Sequence, residues 1–190
     1  MSELAGFLSL GFRHITDPAA IDHLLFLVAL AAIYRGRDWR DAVWVVTAFT
    51  VGHSVTLALA VTGAVRLPTP LIEFLIPITI MVTGVENILV RDRAAAPWGR
   101  RYRPLLAGAF GLVHGAGFAN YLQSLFDGSI VVPLLGFNLG IELGQILVLA
   151  GAGLALAALD RVLSPRLRTV LVSAAVVVVA TRMALERAPW

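Results

Sequence analysis

Long runs of apolar residues are the feature of this sequence that most constrains its fold. Of its 190 residues, 58% are hydrophobic and only 14% are charged, whereas about a quarter of the residues of a soluble domain are charged. A run of about 20 apolar residues can cross the hydrocarbon core of a bilayer as a helix. The sequence therefore predicts an all-α, polytopic membrane helix bundle that forms a single transmembrane domain over residues 1–190.

The breaks between apolar runs divide the chain into about six predicted spans. These spans cover about residues 18–34, 41–63, 69–90, 104–125, 132–159 and 167–187. Residues 2–13 are short and amphipathic, and they predict a short N-terminal interfacial helix. A signal peptide is not expected, because this segment has neither a basic n-region nor an adequate apolar core. The absence of cysteine excludes disulfides, thiolate metal sites and iron–sulfur clusters.

The charge of the connecting loops predicts how the bundle is oriented. All 15 basic residues are arginines, and most of them lie in the loops at 35–41, 91–103 and 160–168. Loops rich in arginine stay on the cytoplasmic side of a membrane. We therefore expect a multi-pass protein of a bacterial-type inner membrane, with both termini outside. The same pattern indicates topology and no nucleic-acid partner.

Ionisable side chains at membrane depth are the second feature that the sequence presents. Each costs about 2.5–3.5 kcal/mol on insertion scales, so such residues normally have a function or a partner. The candidate metal ligands are His14, Asp22, His23, His53, Glu86, His114, Asn138 and Glu142. Imidazole and carboxylate suit first-row divalent ions such as Ni²⁺, Co²⁺ and Zn²⁺. We expect His23, His53 and His114 at compatible depths on three helices, with His14 apart from them near the surface.

The spacing of polar residues predicts an interior pathway. Two spans carry polar side chains on one helix face: Thr79, Thr83 and Glu86 on span 3, and Asn138, Glu142 and Gln145 on span 5. Residues three, four and seven positions apart share a face of a helix. An ion that crosses hydrocarbon needs a succession of such sites, each weak enough to release it.

Glycines at intervals of four predict close packing of spans 4 and 5. They are Gly111 and Gly115 on span 4, and Gly136, Gly140 and Gly144 on span 5. Small residues at this spacing let helices approach closely in membranes, and we expect this contact to bring His114 near Glu142. The glycines of residues 114–117 also predict local unwinding of span 4, which membranes tolerate only beside a cavity or inside protein.

Several candidates also have a purely structural interpretation. Glu86 lies five residues before Arg91 and would then pair with the end of its own helix. Glu73 lies near the start of a span, where a carboxylate favours the helix dipole. His53 and His114 would be hydrogen-bonded core histidines that join two helices.

These motifs, in this order, resemble the HupE/UreJ family of membrane proteins. The likeness is carried by residues 11–14, 21–26, 49–57, 86–87, 110–119 and 137–145, together with Glu73. It implies a hydrogenase- or urease-associated permease that brings nickel, or in some members cobalt, into the cell. Carried over by position, it implies a ligand role for the four histidines, Asp22 and Glu142. The nine-residue interval from His14 to His23 is longer than in the forms that the family suggests.

The leading hypothesis is a permease for a divalent metal ion, with Ni²⁺ expected and Co²⁺ or Zn²⁺ as alternatives. Asp22 and His23 would receive the ion, and the remaining candidates would pass it inward past Glu86. Walker-type nucleotide motifs are absent, so the drive would be a membrane potential, a proton gradient or intracellular trapping. The expected partners are the bilayer and the metal ion, and a homo-oligomer stays open. The alternatives are an intramembrane zinc hydrolase in which three histidines and Asp22 hold Zn²⁺ and Ser54 lies beside His53, bis-histidine haem ligation by His53 and His114, and a structural accessory subunit.

Overall fold

A computed structural model describes residues 2–65, 68–90, 102–125 and 129–189. Within these ranges the chain is all-helical, as predicted, and contains no strand. The helices are α1 (Glu3–Thr16), α2 (Ile21–Ala31), α3 (Trp39–Val61), α4 (Thr69–Leu89), α5 (Tyr102–Gln123), α6 (Val131–Leu159) and α7 (Pro165–Glu186), with a 3₁₀ turn at Gly36–Asp38. Most of the predicted loop at 91–103 lies outside the described residues.

Four of the described helices, α3, α4, α6 and α7, are each long and apolar enough to cross a membrane. The consecutive helices α1 and α2 pass the same test together, but they are bent by 71°. Predicted span 1 corresponds to α2, which has only 11 residues and at about 1.5 Å per residue is roughly half the thickness of a bilayer core, so a full span at this place has to include α1. Predicted span 4 corresponds to α5, which has 22 residues and is not among the candidate spans found within the described part of the chain. The helical membrane bundle itself is confirmed.

The bend between α1 and α2 follows from the residues at 17–20. Asp17 has the extended backbone, with φ −66° and ψ 121°, that a residue before proline favours. Its carboxylate accepts a hydrogen bond from the Ala19 amide at 2.8 Å. Pro18 has no amide hydrogen with which to continue α1. The chain therefore turns back into the bundle at this point.

Helix α1 packs along α6, and the predicted interfacial placement of residues 2–13 is corrected accordingly. A Cβ atom on Gly11 would lie 2.0 Å from the carbonyl oxygen of Phe137, and one on Gly140 would lie 2.1 Å from that of Leu8. Such distances leave no room for any side chain at either glycine. Along α6, Gly136 faces Leu4, Gly140 faces Leu8 and Gly144 faces Phe12, so the contacts advance in the same direction and α1 and α6 are parallel.

Helices α3 and α5 form a second parallel pair. A Cβ atom on Gly111 would lie 2.1 Å from the Phe49 carbonyl oxygen, and one on Gly52 would lie 2.0 Å from that of Gly108. The predicted glycine contact between spans 4 and 5 is therefore wrong, because the α5 glycines face α3 and the α6 glycines face α1. The predicted unwinding at 114–117 is also wrong, since α5 is helical throughout.

The two glycine pairs repeat one geometry, with α5 in the place of α1 and α3 in the place of α6. On every helix of the two pairs, one carbonyl oxygen contacts the glycine of the partner helix. The residue that carries this carbonyl lies three positions before the helix's own glycine. His14 follows Gly11 by three residues, and His114 follows Gly111 by three residues. The repeat therefore puts these two histidines at equivalent positions in the two pairs.

The short helix α2 lies among α4, α6 and α7, and α7 binds both of its ends. The Arg168 guanidinium, which is only 2% exposed, donates to the carbonyl oxygens of Ala32 at 3.1 Å and Tyr34 at 3.4 Å. These carbonyls follow the end of α2, where a basic group satisfies acceptors that have no helical partner. At the other end of α2, Arg187 contacts Asp22.

Candidate metal centre

The four histidines lie together inside the bundle, although each stands on a different helix. The ring centroids are 4.6 Å apart for His14 and His23, 6.3 Å apart for His14 and His53, and 5.6 Å apart for His23 and His114. The prediction that His14 stands apart near the surface is wrong. Because the chain bends at 17–20 and α1 packs on α6, His14 lies next to His23 despite the longer interval between them in the sequence.

Phenylalanine rings surround the histidine cluster. The His114 ring lies 5.1 Å from Phe26 and 5.0 Å from Phe49, measured between centroids. Phe118 and Phe137 stack at 5.1 Å with an interplanar angle of 3°, and the His14 ring lies 4.1 Å from Phe118. Phenyl rings offer the imidazole nitrogens no ordinary hydrogen-bond partner, so these nitrogens depend on the few polar groups nearby.

Most of the imidazole nitrogens in the cluster are buried without a hydrogen-bond partner. Within the described part of the chain, this is true of Nε2 of His14 and His23, of Nδ1 of His114, and of both nitrogens of His53. An unmade hydrogen bond of a buried polar group costs about 1–3 kcal/mol. The hydrogen-bonded core role considered for His53 finds no support, whereas His114 has one polar partner.

The partner of His114 determines which of its nitrogens is free to bind an ion. The Thr79 hydroxyl lies 2.9 Å from His114 Nε2 and donates its single proton to the Ile76 carbonyl oxygen at 2.7 Å. The hydroxyl therefore accepts from Nε2–H of His114. The lone pair of the imidazole is then on Nδ1, the nitrogen that is buried without a partner.

His23 is oriented by the residue that precedes it. Its Nδ1 lies 3.0 Å from Asp22 Oδ1, and because a carboxylate only accepts, Nδ1 carries the proton and Nε2 the lone pair. Asp22 Oδ1 also accepts from the His23 amide at 2.9 Å, and Oδ2 accepts from Arg187 at 3.3 Å. Carboxylates that hold metal-binding histidines in this way are common around metal sites.

The polar stripe of α6 faces α3, as a shared helix face requires. Thr47 donates to Glu142 Oε1 at 2.6 Å, and Thr50 donates to Gln145 Oε1 at 2.7 Å. Glu142 Oε2 and Asn138 Oδ1 are buried, with no partner among the described residues. The α6 stripe thus presents free oxygen acceptors inside the bundle.

Glu86 belongs to a separate buried network near the C-terminal end of α4. Its Oε2 accepts from Arg103 at 2.6 Å, and Arg103 also donates to the Asn87 carboxamide oxygen. Asn87 in turn donates to the Ala29 carbonyl oxygen at 2.7 Å. The predicted pairing of Glu86 with an arginine thus involves α5, and Arg91 lies outside the described residues. Arg103 precedes His114 by 11 positions on one helix, a rise of roughly 16 Å.

A family model described as HupE / UreJ protein matches residues 1–187, nearly the whole chain. The chain belongs to the HupE/UreJ family. This family is associated with nickel and cobalt transport accessory to hydrogenase and urease, and it is a transporter family of membrane proteins. No curated protein and no solved structure matches the chain.

The side chains of this HupE/UreJ protein do not form a closed metal cage. Among the described residues, no three histidine, aspartate or glutamate side chains are arranged to hold a metal ion as they stand. The described ring contacts link His14 to His23 and His53, and His23 to His114, without bringing three of the four into one ligand set.

Sequence reasoning missed three partners of the candidate residues in this HupE/UreJ protein: Thr79 for His114, Arg187 for Asp22, and Arg103 for Glu86. Apart from Arg91, the sequence presents the arginines as topology signals, and nothing in a linear pattern tells which of them fold inward. One signal for His14 was available. The Gly-x-x-His pattern at 11–14 recurs at 111–114.

Proposed function

We propose that this protein carries Ni²⁺ or Co²⁺ into the cell across the inner membrane, with the four-histidine cluster as its binding site. The observation that carries the proposal is the set of buried, unpartnered imidazole nitrogens on four different helices. A fold does not keep such groups without a reason, because each unmade hydrogen bond destabilises it. An arriving divalent ion would supply the missing partner, and imidazole nitrogen is a ligand that both ions accept.

The ligands that we propose are Nε2 of His14 and His23, Nδ1 of His114 and either nitrogen of His53. Asp22 acts on the ion through His23. Asn138 and Glu142 offer free oxygens on α6 and form the next site along the path. A path made of two separate sites lets the ion leave each of them, because neither site has to hold it with every ligand at once.

Glu86 stands at the far end of this path, where Arg103 now occupies one of its oxygens. With both termini outside, as the arginine-rich loops predict, this end faces the cytoplasm. An inside-negative potential favours entry by about 2.3 kcal/mol per elementary charge per 100 mV. A dication gains twice that amount, which is sufficient drive without a nucleotide-binding motif.

Transport is better supported than the catalytic and haem alternatives. The Ser54 hydroxyl donates to the Thr50 carbonyl oxygen at 2.7 Å, so its proton is held by the backbone and not by a histidine base. The Phe49 ring lies 5.0 Å from His114 and 6.2 Å from His53. A haem between these two histidines would have to displace that ring.

The test is uptake of radioactive Ni²⁺ or Co²⁺ into proteoliposomes under an inside-negative potential. We expect the parent protein to accumulate the ion, and His23→Gln and His53→Gln to lose at least nine-tenths of uptake and of equilibrium binding. Thr62→Ala, an exposed change near the end of the same helix as His53, is the matched control. Uptake by both histidine variants at the parent rate would refute the assignment of the site.

A further inference from the structure

Arg187, at the end of α7, is joined to the histidine cluster through two consecutive contacts. Its Nη1 lies 3.3 Å from Asp22 Oδ2, and Asp22 Oδ1 lies 3.0 Å from His23 Nδ1. The Asp22 side chain is only 15% exposed and that of Arg187 is 31% exposed. Two partly buried side chains of opposite charge thus meet beside His23, whose Nε2 has no partner among the described residues.

These contacts leave Asp22 little capacity to bind an ion directly. Oδ1 already accepts from the His23 ring and from the His23 amide, and Oδ2 accepts from Arg187. If Arg187 were removed, Oδ1 would keep both of its bonds while Oδ2 became free. A freed anionic oxygen at the edge of the cluster is a strong ligand for a divalent ion, which Asp22 in its present state is not.

We propose that Arg187 is a positioning residue that keeps Asp22 a hydrogen-bond acceptor of His23 and prevents it from becoming a metal ligand. The inference rests on the proposed function and gives a reason why the histidine cluster can release the ion. The ion meets neutral imidazoles at this position in place of a carboxylate. Binding stays weak enough for the ion to move on, because the carboxylate charge is already matched by the guanidinium.

The test compares Arg187→Gln with Arg187→Lys and Arg182→Gln in the full-length protein. Arg182 is the matched control, because it lies on the same helix and pairs with Glu186, where the two side chains are 81% and 58% exposed. Ni²⁺ and Co²⁺ binding is measured by titration calorimetry in detergent, and transport by uptake in proteoliposomes. The visible spectrum of bound Co²⁺ reports whether an oxygen ligand has been added.

For Arg187→Gln we expect the dissociation constant to fall about tenfold, on the scale of one charge-assisted contact. KM and kcat for uptake should fall together, and the Co²⁺ spectrum should change. Arg187→Lys should restore the parent values, and Arg182→Gln should match the parent. Asp22→Asn added to Arg187→Gln should abolish the gain in affinity.

Unchanged or weaker binding by Arg187→Gln, with the parent spectrum, would overturn the inference and leave the proposed function standing. Gain of affinity that survives Asp22→Asn would also overturn it, because the new ligand would not be Asp22. If the parent itself binds neither ion, the proposed function fails, and this inference fails with it.

Discussion

The buried imidazole of His53 provides the sharpest test of the reasoning, because neither of its nitrogens has a partner among the described residues. In the absence of metal, His53→Leu should therefore stabilise the protein. Two unmade hydrogen bonds cost the parent about 1–3 kcal/mol each. The strain of fitting the branched leucine side chain offsets about 1–3 kcal/mol of this gain. The net expectation is a gain of about 1–3 kcal/mol in the free energy of unfolding.

The assay is thermal unfolding in detergent after treatment with a chelator, followed by tryptophan fluorescence. A gain of this size should raise Tm by about 2–4 °C per kcal/mol for a chain of this length. His53→Gln is the matched variant, because it removes the ligand but keeps a buried polar group without partners. Its Tm should equal or lie below that of the parent.

Added Ni²⁺ should close or reverse the difference in Tm between the parent and His53→Leu. A ligand at 100 times its dissociation constant stabilises the folded state by about 2.7 kcal/mol, and the parent alone keeps all four imidazoles for it. The parent should thus rise toward or above His53→Leu, while His53→Leu changes little. If His53→Leu unfolds below both the parent and His53→Gln without metal, His53 is a structural residue and the reasoning from its unpaired nitrogens is wrong.

Three further predictions concern packing, orientation and the inner network. Gly111→Ala should destabilise the protein by at least 2 kcal/mol, on the scale of a severely overpacked site, because its Cβ would lie 2.1 Å from the Phe49 carbonyl oxygen. Gly151→Ala is the control: nothing lies within 4 Å of a Cβ there, so it should be neutral or stabilising in the same melting assay. Thr79→Val should weaken Ni²⁺ binding about 10–100-fold by titration, since it no longer fixes the His114 tautomer, and unchanged affinity would contradict that tautomer. Arg103→Met should lower the free energy of unfolding by about 3–5 kcal/mol, because Glu86 loses its buried partner, and the Arg103→Met/Glu86→Gln double variant should recover most of that loss.

The sequence was sufficient to name the ionisable side chains of the candidate site, because ionisable residues in apolar runs are rare and are recognisable whichever way the helices pack. Glu142 and Gln145 could be assigned to one face since helix periodicity alone decides it, and both do bond to α3. The surroundings of His14 could not be derived in the same way. Its helix has 14 residues, too few to register as a span, and only the tertiary contact with α6 shows that it is buried in the bundle.

The glycine series shows where periodicity stops being informative. Spacing predicts correctly that helices approach closely at Gly111 and Gly140, but it does not name the partner helix. Several pairings satisfy the same interval, and the structure selects α3 for α5 and α1 for α6. Inward-folding arginines are equally hidden, because an arginine near a span end counts toward topology whether it contacts lipid headgroups or, like Arg187, a buried carboxylate.

The arrangement of the two glycine pairs explains how one cluster can be both unsatisfied and open. Within each pair, backbone contacts at Gly11 and Gly111 leave the helices no room to slide past each other. His14 and His114 stand at equivalent positions in different pairs, and His23 lies between them at 4.6 Å and 5.6 Å. Any change in the separation of His14 and His114 therefore requires one pair to move against the other. Such a movement would change the distance between His14 and His114, while α7 holds α2 and its His23 at both ends.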